Sequence, residues 1–187
     1  MIVVPGKFVY VGSPRSGSHY IYDVLCAHFP DAVRPSVQHH APIPEVLNAK
    51  RLGGGLPVYT VVRDPVKQLF SFYWNSLHKY PDRIVVTTFQ EFIEGRKPPN
   101  APYQKAVDFP PGALCTYRNV ADKFFPFKDG FKDLFEALGV DDTHGVEPTR
   151  LPTPEYLEAQ KQITAADEFL VKKYFKKDWE LFEETRA

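Results

Sequence analysis

Arg15 sits in a run of small residues, Ser13-Pro14-Arg15-Ser16-Gly17-Ser18. The apolar stretch 8–11 precedes it, and helical apolar spacing at Tyr20, Ile21, Val24 and Leu25 follows. A loop between a strand and a helix start presents unpaired backbone N–H groups and the positive end of the helix dipole. Small residues let an anion come close to that backbone. The chemistry offered is anion binding, with Arg15 as the local cation. A second arginine, Arg63, closes the apolar run 58–62; Asp64-Pro65 follow it at once, and Ser71 lies eight residues on. A guanidinium at a strand end can grip a phosphate through a charge-assisted fork. Between the two arginines lies VQHHAPIPEVL, with His39, His40 and Glu45. An imidazole near neutral pKa suits removal of a proton from an attacking hydroxyl.

Gly12 and Gly17 have the separation of the G-x-x-x-x-G-K-[ST] phosphate loop, but Ser18 and His19 stand where that pattern needs Lys and Ser/Thr. The lysine for the β/γ-phosphates and the hydroxyl for Mg²⁺ are both missing, which counts against an ATP- or GTP-hydrolysing site. The positive charge lies inside the loop instead.

Pro14-Arg15-Ser16-Gly17-Ser18 resembles the 5′-phosphosulfate loop of the sulfotransferases that use 3′-phosphoadenosine 5′-phosphosulfate (PAPS), Pro-[Lys/Arg]-x-Gly-[Thr/Ser]-[Thr/Ser]. His19 departs at the last position, where that family carries a hydroxyl. RDPVKQLFSFYW, from Arg63, resembles the same family's 3′-phosphate site. The resemblance implies that Pro14, Arg15, Ser16, Gly17, Ser18 and His19 hold the 5′ end of PAPS. It further implies that Tyr20 stacks on adenine, that Arg63 and Ser71 hold the 3′-phosphate, and that Tyr117 is a further adenine contact. His40-Ala41-Pro42 matches the family's His-x-Pro, which implies His40 as general base, with His39 and Glu45 as alternatives. Arg15 then stabilises charge growing on the leaving phosphate. The implied reaction moves a sulfuryl group from PAPS to a hydroxyl of a carbohydrate or small-molecule alcohol, without a metal. Arg118-Asn119 stands where the family's later strand has an acidic pair, and the family's Arg-Lys-Gly segment has no clear counterpart. Two other readings stay open: a small P-loop phosphotransferase, and a nucleotide-binding module without turnover.

The elements that must position these groups follow from pattern. Residues 2–11 read as a first strand interrupted at Pro5-Gly6, 18–29 as a helix, 45–51 as a short helix closed by Gly53-Gly54-Gly55, and 58–62 as a second strand. Helical spacing covers 66–80, 89–94 and 131–138, the last ended by Gly139. Residues 97–111 read as a Pro-rich loop, 114–120 as another strand, and 154–184 as one or two helices. Alternating strands and helices predict an α/β fold, one domain over 1–187, with a mainly parallel central sheet flanked by helices and a P-loop-like nucleotide-binding core.

The 187 residues are 43% hydrophobic and 14% aromatic, the composition of a folded globule. Lysine plus arginine equals aspartate plus glutamate, 23 each, so no global field draws the chain to nucleic acid or an anionic membrane. No stretch is apolar for a membrane span, and nothing near Met1 reads as a secretory signal. Two cysteines without metal spacing, Cys26 and Cys115, read as buried thiols. A cytoplasmic placement is the simplest expectation.

Overall fold

The N-terminal apolar run folds back on itself. In the computed structural model, which describes residues 1–35, 41–79, 88–96, 115, 117–148 and 151–186, β1 (Ile2–Val4) pairs antiparallel with β2 (Phe8–Tyr10), Val4 opposite Phe8. The interrupted single strand expected over residues 2–11 is therefore a hairpin. Gly6, at φ 71°, turns the chain, and the Lys7 N–H donates to the Val4 carbonyl at 3.0 Å. Beyond β2 come α1 (Ser18–His28), α2 (Ile43–Leu52) and β3 (Val58–Val62), which lies parallel to β2. β4 (Lys123–Pro126) lies parallel to β3. The sheet is four-stranded and mixed, in the order β1-β2-β3-β4, with two of its three pairings parallel. Outside β1, Val33 exchanges two backbone hydrogen bonds with Val3, at 2.8 and 2.9 Å.

The chain divides into two compact units. The first, Met1–Val62 with Cys115–Arg150, holds the sheet. Strand side chains alternate between its faces. Ile2, Val4, Phe8, Tyr10, Tyr59 and Val61 pack with Ile21 and Leu25 of α1 and Leu134 and Leu138 of α5 (Lys132–Leu138). Val9, Val11 and Val58 share the other cluster with Val46 of α2 and Tyr117. Helices thus cover both faces, an α/β arrangement in three layers.

Residues 117–120 form a turn, not the expected strand, and the fourth strand begins at Lys123. Asp122 explains the shift in position. Its backbone N–H donates to the Val58 carbonyl at 2.8 Å, and its Oδ2 accepts from the Val58 N–H at 2.8 Å, so ladder pairing with β3 is registered there.

The second unit, Arg63–Leu114 with Leu151–Ala187, is helical among its described residues. It contains α3 (Pro65–Lys79), α4 (Phe89–Arg96), α6 (Pro154–Gln160), α7 (Ala165–Tyr174) and α8 (Lys176–Glu184). Leu69 and Phe70 of α3, Phe92 and Ile93 of α4, Tyr156 of α6 and Val171 of α7 form its core. The one or two helices expected over 154–184 are three, because Thr164 starts a new one. Its Oγ1 accepts the Asp167 N–H while Asp167 Oδ2 accepts the Thr164 N–H, a reciprocal cap. No helix among the described residues is long and apolar enough to cross a membrane. The Pro-rich stretch 97–111 lies outside the described residues.

Candidate functional site

The loop after β2 is built largely from its own hydrogen bonds. The Ser16 hydroxyl donates to the Ser13 carbonyl at 2.5 Å, and the Ser16 N–H reaches the same oxygen at 3.3 Å. Ser13 Oγ lies 3.4 Å from Thr60 Oγ1 on β3 and donates to Cys115 Sγ at 3.8 Å. Both serines are buried, as is Ser18. The hydroxyls of Ser13 and Ser16 therefore brace the loop. Arg15 and Gly17 both have left-handed backbones, φ 61° and 74°. Alternating left- and right-handed residues are what build an anion nest; between these two, the Ser16 N–H is taken by the Ser13 carbonyl. Gly17 is also the N-cap of α1, with no side chain capping it. Arg15 and His19 are partly exposed, so a charged and a titratable side chain reach the surface at this loop.

Tyr22 holds the start of the loop. Its hydroxyl accepts the Gly12 N–H at 3.0 Å and the Met1 amine at 2.9 Å. Burial pushes this phenol well above its ordinary pKa, against the Gly12 hydrogen bond, so it stays protonated. Gly12 has a steric reason as well: a Cβ there would lie 2.3 Å from Ser18 Cβ. At Gly17 a Cβ would lie 2.4 Å from Phe131 Cζ. The Phe131 ring thus packs directly on the loop backbone.

Tyr20, expected to stack on adenine, is partly buried with its ring centroid 6.1 Å from that of Phe131 and 6.0 Å from that of Phe135. Tyr117 is buried, and its hydroxyl donates to the carbonyl of Ala41 at 3.0 Å. Tyr117 thus holds Ala41, a tie that spacing alone did not reveal. His39 and His40 lie outside the described residues. Glu45 is exposed in the first turn of α2.

The second motif lies in the second unit. Asp64 caps α3, its Oδ1 accepting the N–H of Val66 at 2.9 Å and of Lys67 at 3.2 Å. Pro65 opens that helix, where its fixed φ fits and its missing N–H costs nothing. Arg63 is half-buried, and its Nη2 donates to Tyr156 Oη at 3.4 Å. Gln160 Nε2 donates to the same oxygen, also at 3.4 Å. Ser71 is buried on α3. Tyr156 escaped the sequence reading, although Thr153-Pro154, which caps and opens its helix, was a usable signal.

A groove of about 560 Å³ also opens in this unit, lined by Asp64, Lys67, Gln160, Lys172 and Trp179 among others. Arg63 and Ser71 are not among its lining residues. Two of its four cations are matched from within: Lys172 pairs with Glu168 at 2.6 Å and lies 4.4 Å from the Trp179 ring centroid, and Arg186 pairs with Glu183 at 3.6 Å.

No family model, curated protein or solved structure matches this chain.

Proposed function

We propose that the protein is a PAPS-dependent sulfotransferase acting on a hydroxyl of a carbohydrate or small-molecule alcohol. The observation that carries the reading is the β2–loop–α1 unit, with left-handed Arg15 and Gly17 leading into a helix start that no side chain caps. Support also comes from Arg63 at the end of β3, followed by a helix that Asp64 and Pro65 begin. In this scheme the loop residues Pro14 to His19 take the 5′-phosphosulfate, and Arg63 with Ser71 takes the 3′-phosphate. The acceptor oxygen attacks sulfur while its proton passes to His40. The bridging sulfur–oxygen bond breaks, and its electron pair leaves with the 5′-phosphate, next to Arg15. The products are the sulfated acceptor and 3′-phosphoadenosine 5′-phosphate, and no metal takes part. A cytoplasmic site of action accompanies this reading.

His19, standing where the family carries a hydroxyl, favours a second reading, a nucleotide-binding module without turnover. A thermal-shift comparison of 3′-phosphoadenosine 5′-phosphate with ADP and with ATP plus Mg²⁺ tests both. The expected result is a rise in Tm with the bisphosphate alone, and sulfate transfer from PAPS to a model alcohol. A bisphosphate shift without transfer selects the binding module. A larger shift with ATP and Mg²⁺ selects a phosphotransferase and ends the sulfotransferase reading.

A further inference from the structure

We propose that His28, His144 and Asp141 form a binding site for one zinc-class divalent ion, apart from the anion-binding loop and from the transfer scheme. His28 is in the last turn of α1, and the other two residues lie in the loop after α5; all three belong to the first unit. His28 Nδ1 and His144 Nε2 face each other at 3.1 Å. Two Zn–N bonds of about 2.0–2.1 Å at the tetrahedral angle span an N···N edge of roughly 3.3 Å. The pair is therefore spaced as two ligands of one ion.

A carboxylate stands beside each ring. Asp141 Oδ1 is 3.8 Å from His28 Nδ1, the nitrogen that faces His144. As the side chains stand, no three such groups among the described residues converge on one ion. Asp141, with its side chain 91% exposed, can turn to supply the third ligand, and water completes the four. Asp142 Oδ2 lies 3.7 Å from the outer nitrogen of His144, Nδ1. At that distance Asp142 is not hydrogen-bonded to the ring; it sets a negative charge beside it, and a small approach would let it accept the ring N–H as the orienting carboxylate of a metal-bound histidine does.

The site is held from both ends. The His28 ring packs edge-on against Phe29 at 4.7 Å. His144 adopts φ 54°, and its backbone N–H donates to Asp142 Oδ1 at 3.0 Å. The C-terminal end of α1 adds the negative pole of its dipole, which favours a cation. Without metal, the two facing nitrogens share one proton in their hydrogen bond. Binding moves that proton to an outer ring nitrogen, which for His144 is the one facing Asp142, so the charges balance without an added acid or base.

Calorimetric titration of the full chain with Zn²⁺ at neutral pH tests the site. One equivalent is expected to bind. His144→Asn, which keeps a residue tolerant of positive φ, should weaken it by at least roughly 100-fold, and Asp141→Asn by roughly tenfold. Replacing His39 and His40 together with Gln should leave the affinity unchanged. Co²⁺ substituted for Zn²⁺ should give the visible bands of a nitrogen- and oxygen-ligated ion. No binding, unchanged affinity in His144→Asn, loss only in the His39/His40 variant, or a thiolate charge-transfer band would each overturn the assignment.

Discussion

Gly17 answers to two constraints at once. Its φ of 74° excludes side chains without strain, and the Phe131 ring occupies the space a Cβ would need. Gly17→Ala should therefore destabilise the fold by about 1–3 kcal/mol from the backbone alone, with the clash adding to it. Urea denaturation checks this, and a variant as stable as the wild type would remove both constraints. The glycine thus has a packing reason that stands whether or not an anion binds. Arg63 tests the ligand more directly. Arg63→Ala is expected to weaken binding of 3′-phosphoadenosine 5′-phosphate by about 2 kcal/mol or more, the worth of a charge-assisted contact. Equilibrium titration measures it, and unchanged affinity removes Arg63 from the nucleotide site. Tyr156, which receives Arg63 Nη2, belongs in the same series.

Among the elements, β3 is tied to α2 through Asp122. Lys50 Nζ lies 2.6 and 2.7 Å from the two Asp122 oxygens, and Asp122 in turn accepts the Val58 N–H. Burial pushes the Asp122 carboxyl up, but the hydrogen bonds from Lys50 and Val58 outweigh it and hold the group below its ordinary value. A carboxyl depressed in the folded state lends stability above its unfolded pKa, about 3.9, and loses it as pH falls through the folded value. Asp122→Asn should be less stable than the wild type at neutral pH, and the gap should close below about pH 4. Denaturation midpoints at a series of pH values show whether it does. The same element explains what pattern could show. Val58–Val62 is a β-branched and aromatic run that ends at Arg63, and it was legible to the residue. β4 was not, because KFFP carries a lysine and a proline, whereas the run around Cys115 and Tyr117 has stronger strand propensity. The hairpin was missed because Pro5-Gly6 can interrupt a strand or reverse it, and pairing decides which. In the loop, the arginine and the glycines were legible. That Ser13 and Ser16 would spend their hydroxyls on the loop was not, since it depends on Thr60 and on the fold of the turn.

For the whole molecule, the decisive question is turnover. His40→Ala should abolish sulfuryl transfer while nucleotide affinity stays close to that of the wild type, as removal of a general base without a binding role requires. Single-turnover assays with PAPS read the first quantity and titration the second. Transfer at the wild-type rate in this variant moves the base to His39 or Glu45. A sheet also has to guard its rims, where unused N–H and C=O groups invite a strand from a second copy. The backbone bridge from Val33 to Val3 occupies part of one rim. Among the described strands the other rim is β4, where Lys123 sets a charge at its start and Pro126, lacking an N–H, ends it. Replacing Lys123 and Pro126 with valines would lengthen a pairing surface that the native chain keeps short, and self-association through that rim is the consequence.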